Sequence, residues 1–187
     1  MTEHASINDD RSWQWSNHFQ ESIKLESTRA KVILSGCYLD ELLRKLLAIN
    51  LAPSSNKEDS LFDGARAPLG TFSAKIDIAH RMKLIPDATL KSLHDVRKIR
   101  NSFAHDIAGC DFKKQQILDW TSNLVALNPV IKPETRARFS DGPLGDFESS
   151  VAWNIFWLKD LIDRAPTECS KCGGTVTHRE KIKAKNP

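Results

Sequence analysis

Residues 26–51 read ESTRAKVILSGCYLDELLRKLLAINL and carry the strongest helix pattern in the chain. Apolar residues recur there every three or four positions, which is the period of an amphipathic α-helix. These positions are Val32, Ile33, Gly36, Leu39, Leu43, Leu46, Leu47 and Ile49. The stretch therefore predicts a long helix with a wide buried face.

The rest of the chain predicts further helices and no strand. Apolar spacing and the Pro-rich breaks place them at about residues 10–24, 71–84, 87–105, 112–127 and 150–164. Thr71 and Asp87 suit the N-cap position of the helices that follow them. No segment alternates apolar and polar residues with the period of two that strands require. We expect an all-α fold, a single bundle of about six helices over residues 1–165, followed by a basic tail at 166–187.

Composition indicates a folded protein of the cytoplasm. The 187 residues are 40% hydrophobic and 27% charged, which is typical of a globular domain. No apolar run reaches the roughly 20 residues that a membrane helix needs, so no membrane partner is expected. The first residues lack the pattern of a secretory signal, and the four cysteines do not form a disulfide framework.

The tail contains the one cysteine pair with metal-ligand spacing. Cys169 and Cys172 form a C-x2-C motif followed by glycine, and His178 could supply a third ligand for zinc. A structural zinc site usually has four ligands, so a cofactor-free tail is the alternative. From Arg164 onward there are six basic and two acidic residues, which fits either a solvated terminus or non-specific contact with phosphates.

A charged residue interrupts the apolar face of the helix at 87–105. Arg100 falls between Val96 and Ala104 on that face. A guanidinium seldom enters a core without an acceptor, because an uncompensated buried charge is costly. Asp40 is the one acid on the buried face of the 26–51 helix, so we expect Asp40 to face Arg97 or Arg100. The pair could be structural, fixing the helix register.

His105 and Asn101 lie one turn apart beside the same apolar face. An imidazole next to a guanidinium can transfer protons at a phosphodiester while the arginine stabilises the developing negative charge. The alternative is that His105 caps the helix end by bonding its last carbonyls. The spacing leaves both open.

Three motifs, in this order, resemble the bacterial mannitol operon repressor family. They are YLDELLRKLL at 38–47, LFDGARAPLGTFSAKIDIAHRMKLI at 61–85 and DVRKIRNSFAH at 95–105. The resemblance implies an all-helical transcriptional regulator without a usual DNA-binding motif, which acts through protein partners, including a second copy of itself. The resemblance also implies that the regulator is a repressor of transcription, and it carries no information on mannitol as the signal.

The segment RNSFAH at 100–105 also resembles the R-x4-6-H motif of HEPN domains. This resemblance implies a helical, often dimeric protein and, in active members, metal-independent RNA cleavage. Carried over, the catalytic residues would be Arg100, Asn101 and His105. Nucleic acid, RNA or DNA, is therefore a possible partner, and whether the chain is an enzyme is left open.

The turn at 61–72 has two interpretations. Asp63 and Gly70 could line a ligand pocket near Arg100, or the segment could wrap the bundle and pack Leu61, Phe62 and Phe72 into the core. Neither a phosphate-binding P-loop nor a nucleophile elbow occurs in the sequence, so the enzyme classes that depend on them are not expected.

Overall fold

The computed structural model describes residues 10–54, 58–106, 109–128 and 142–165, and these ranges contain six α-helices and no strand. The helices are α1 Asp10–Ile23, α2 Thr28–Asn50, α3 Phe72–Arg81, α4 Asp87–His105, α5 Gln115–Leu127 and α6 Gly142–Arg164. The predicted all-α bundle is confirmed. The predicted tail at 166–187 lies outside the described residues.

Helices α2, α4 and α6 form the centre of the bundle, since each of them contacts the other two. Helix α1 lies on α2 and α6, α3 packs on α2 and α4, and α5 packs on α4 and α6. Helices α2 and α4 are antiparallel, because Arg29 near the start of α2 bonds the carbonyls at the end of α4. The start of α2 therefore lies beside the end of α4.

The core consists of aliphatic rows from the central helices and a group of aromatic rings. Leu39, Leu43 and Leu47 of α2 are fully buried, as the apolar pattern predicts. Phe103 of α4 is 1% exposed and its ring centroid lies 5.3 Å from that of Phe112, which in turn is 5.8 Å from Phe147. The end of α4 is thus anchored by rings from two other segments.

Helix starts follow local hydrogen bonding. The Thr71 side chain accepts from the amide of Ala74 and caps α3, as predicted. Helix α4 begins one residue earlier than expected, because Pro86 and not Asp87 occupies the N-cap position. Asp87 is therefore the first helical residue, and its carboxylate lies 2.6 Å from His80 Nε2 on α3. The prediction that Asp87 is the N-cap is wrong by one position.

Helix α6 starts eight residues before the predicted position, at Gly142 rather than Ser150. Glycine and proline at residues 142–145 favour a turn by local preference, so the sequence pattern predicts a later start. Proline is well tolerated in the first turn of a helix, since the amide it lacks would have no partner there. The extra turns bury Phe147 completely and bring Glu148 to 3.0 Å from Lys31 on α2.

None of the helices in the described ranges is both long and apolar enough to cross a membrane.

Candidate functional site

Arg100 of α4 packs directly over Gly36 of α2. A Cβ atom built on Gly36 would lie 2.7 Å from Cγ and 3.2 Å from Cβ of Arg100, closer than real side chains pack. The absence of a side chain at Gly36 therefore creates the space that the Arg100 stem fills. The Arg100 Nη2 atom lies 4.0 Å from the sulfur of Cys37, the residue that follows.

Asn101 determines the direction of the Arg100 guanidinium. Arg100 Nη1 donates to Asn101 Oδ1 over 2.9 Å. Arg97, Asn101 and His105 are spaced by four residues, so they lie along one stripe of α4. The hydrogen bond therefore draws the guanidinium from the apolar side of α4 towards the stripe that contains His105.

His105 is exposed and does not cap the helix. Arg29 from α2 donates to the carbonyl of Ala104 over 3.1 Å and to that of Asp106 over 3.3 Å. The amide of Asp106 bonds the Ser102 carbonyl. The His105 side chain makes no hydrogen bond to any residue within the described ranges. Arg29, which the sequence analysis did not single out, performs the capping role that was one alternative for His105.

We refer to Arg29, Arg97, Arg100, Asn101 and His105 together as the arginine face. None of its three guanidiniums forms an ion pair within the described part of the chain. The Nε atoms of Arg97 and Arg100 are buried and lack a hydrogen-bond acceptor there. Buried donors of this kind are costly, and an anion bound at the surface would satisfy them.

Two acids of α4 and its C-cap have lysine partners. Asp95 of α4 lies 2.8 Å from Lys98, and Asp106 pairs with Lys114. Because these carboxylates are neutralised locally, the three arginines leave the face with a positive charge. The geometry suits recognition of a phosphate or carboxylate by bidentate hydrogen bonds.

The ion pair predicted between Asp40 and Arg97 or Arg100 is not formed in the described residues. Asp40 Oδ1 instead accepts from Lys75 Nζ of α3 over 2.7 Å, and the Lys75 side chain is only 6% exposed. Arg100 turns over Gly36, one turn before Asp40, and its guanidinium is bound to Asn101. Asp40 therefore joins α2 to α3 and does not belong to the arginine face.

Asp63 and Gly70 belong to a separate turn. Both carboxylate oxygens of Asp63 accept from Arg44 Nη2, at 3.0 and 2.8 Å, which fastens the turn to the second half of α2. Arg44 follows Gly36 by eight residues, about two helical turns. Gly70 packs against the Ala67 carbonyl, where a Cβ atom would lie 3.1 Å from the oxygen. The turn is thus structural here.

The wrapping interpretation of this turn is confirmed in part. Phe62 is 7% exposed and packs into the core, while Leu61 remains 39% exposed. Leu69 donates its amide to the Leu61 carbonyl, which closes the segment over the bundle.

The predicted zinc ligands Cys169, Cys172 and His178 lie outside the described residues. Zinc at the C-terminal motif stays a prediction. Cys110 lies in the loop after α4, and burial raises the pKa of its thiol.

Two residues of this region could have been found from sequence. Gly36 is a helix-interior glycine within an apolar face, which indicates a close approach of another helix. Lys75 falls between Phe72 and Ala79 on the buried side of α3, so it needed a carboxylate partner as much as Arg100 did. Nothing in the sequence marks Arg29 as a residue of the site, because an arginine near a helix start is usually exposed.

Comparison of the chain with protein-family models, with curated proteins and with solved structures finds no match. The resemblances to the mannitol operon repressor family and to HEPN domains therefore rest on the motifs quoted above.

Proposed function

We propose that this chain is a metal-independent endoribonuclease whose catalytic residues are Arg100, Asn101 and His105. The observation that carries the proposal is the Arg100–Asn101 hydrogen bond of 2.9 Å, which turns the guanidinium towards the stripe of the exposed His105. Arg29 takes the helix-end carbonyls, so His105 has no structural task in the described part of the chain.

The chemistry that suits these groups is transfer of an RNA phosphodiester to its own 2′-hydroxyl. His105 takes the proton of the 2′-hydroxyl as this oxygen attacks phosphorus. The bond to the 5′ oxygen breaks, solvent protonates that oxygen, and a 2′,3′-cyclic phosphate remains. Arg100 stabilises the negative charge that builds on the phosphoryl oxygens. DNA lacks the attacking hydroxyl and is not a substrate.

The other arginines contribute binding. Arg29 lies at the His105 end of the face, and Arg97 lies on the same stripe one turn before Asn101. Neither guanidinium forms an ion pair in the described part of the chain, so both can contact phosphates on either side of the cleaved bond. Such contacts fix the register of a nucleic acid without reading its sequence, so broad sequence tolerance is expected.

The proposal is tested with RNA and DNA oligonucleotides of one sequence in the presence of EDTA. Wild-type protein is expected to cleave the RNA to a cyclic phosphate and to leave the DNA intact. His105→Ala is expected to slow cleavage by about 100-fold, the lower end of what a proton-transfer group contributes. His94→Ala is the matched control on α4, because His94 lies 2.9 Å from Asp77 of α3 and outside the arginine face.

Intact RNA with folded wild-type protein would contradict the proposal, as would equal rates for wild type and His105→Ala. That outcome favours a second candidate, a cytoplasmic regulator of the mannitol-repressor type that binds a protein partner or a second copy of itself. The supporting observation is apolar exposure on the α2 side, where Leu25 is 99% and Leu34 is 41% exposed.

A further inference from the structure

A cavity of about 260 Å³ lies at the other end of α4 from the arginine face. It is open to solvent on one side and is lined by the first turns of α4, the end of α5 and the middle of α6. Thr89 at the cavity and Asn101 at the arginine face are twelve residues apart, or roughly 18 Å along a helix. The cavity is therefore a separate site, and inferences about it do not depend on the proposed ribonuclease.

Two walls of the cavity are aromatic. Trp153 and Trp157 of α6 stand one turn apart, with ring centroids 6.3 Å apart and planes inclined by 17°. Nearly parallel indoles present flat apolar surfaces on which another ring can stack. None of the described residues that line the cavity is ionisable. An ion would lose its hydration there without gaining a counter-charge, so the site suits an uncharged molecule.

Hydrogen-bond donors without acceptors point to what that molecule carries. Ser150 is 1% exposed, yet its hydroxyl oxygen has no hydrogen-bond partner, and the buried Nε1 of Trp157 also lacks one. No side chain caps the start of α4, whose first residues lie at the same cavity. Buried donors are nearly always satisfied in native proteins, so an occupant with acceptor atoms would explain the Ser150 hydroxyl and the Trp157 Nε1.

The remaining polar groups are held in place by the protein. Asn154 Nδ2 donates to Ser92 Oγ and to the Ser150 carbonyl, each over 2.8 Å. The bond to Ser92 joins α6 to α4, the bond to the Ser150 carbonyl lies within α6, and all three residues are buried. The site is thus mostly apolar with a few fixed polar groups, as small-molecule sites usually are.

We propose that this cavity binds a small, uncharged, flat heteroaromatic molecule that stacks on the tryptophans and accepts hydrogen bonds from Ser150 and Trp157. A cavity of about 260 Å³ accommodates one or two fused rings. The pocket joins α4, α5 and α6, so an occupant would also stabilise the bundle by mass action.

Indole and 7-azaindole are the matched probes, because they differ by one acceptor nitrogen. Each is titrated into full-length protein by ligand-observed NMR. We expect 7-azaindole to bind wild type about 5–10-fold more tightly, the effect of about one hydrogen bond. The added nitrogen has one lone pair and accepts from one donor, so removal of that donor, by either Ser150→Ala or Trp157→Phe, should reduce this preference to about twofold or less. Ser35→Ala, a buried serine of α2, and Trp120→Phe, a tryptophan that does not line the cavity, should preserve it.

Circular dichroism establishes that each variant is folded. The comparison of indole with 7-azaindole on wild-type protein is a test that does not depend on any variant. Equal affinity of wild type for both probes would overturn the proposal, as would no binding of either at millimolar concentration. A preference that persists in folded Trp157→Phe and Ser150→Ala would overturn it as well.

Discussion

Replacing Arg100 by alanine is expected to slow RNA cleavage by about 10²–10³-fold while the protein remains folded. The guanidinium is the group of the arginine face that Asn101 fixes in direction, through a hydrogen bond of 2.9 Å. It forms no ion pair in the described part of the chain, so its loss leaves no carboxylate without a partner. Single-turnover cleavage in EDTA measures the effect, with thermal unfolding as the check on folding.

Arg100→Lys is the matched control for charge. Lysine keeps the positive charge and most of the stem over Gly36, but it cannot make the planar, two-pronged contact with a phosphate. We expect Arg100→Lys to recover only a small part of the rate and to leave unfolding unchanged within about 0.5 kcal/mol. Full activity of either Arg100 variant would show that the guanidinium takes no part in cleavage.

Replacing Phe103 by alanine is expected to destabilise the protein by about 3–5 kcal/mol. Phe103 is 1% exposed and contacts the Phe112 ring at 5.3 Å, so its removal leaves a cavity between α4, the following loop and α6. Helix α4 carries most of the arginine face, and the loss also loosens the end that holds His105. Urea unfolding followed by circular dichroism gives the change in free energy.

Leu25→Ala is the control for the loss of an apolar side chain. Leu25 is 99% exposed between α1 and α2, so we expect a change below about 0.5 kcal/mol. A cost for Phe103→Ala below about 1 kcal/mol would contradict the packing described for the end of α4.

The helices could be predicted where burial and periodicity agree. The face of α2 is read directly from the spacing of Leu39, Leu43 and Leu47, all fully buried. The start of α6 could not be predicted in this way, because Gly142 and Pro143 favour a turn by local preference. Packing of Phe147 decides the conformation there, and a tertiary contact of that kind leaves no local pattern.

Of the candidate site, only the residues that are close together in the sequence, on α4, could be predicted. Asn101 and His105 share a stripe of α4 by spacing alone, and Arg100 is adjacent to them. The partner of Asp40 could not be derived, because three basic residues on two helices were in reach and spacing does not fix how helices cross. Lys75 proved to be that partner, at 2.7 Å.

The central claim, that Arg100 and His105 act on one phosphodiester, is tested most directly by a double-mutant cycle. Single-turnover RNA cleavage in EDTA is measured for wild type, Arg100→Ala, His105→Ala and the double variant. Residues that act as a unit are strongly non-additive, so we predict that the double variant loses little more than the worse single variant. Losses that multiply, or single variants as active as wild type, would contradict the account.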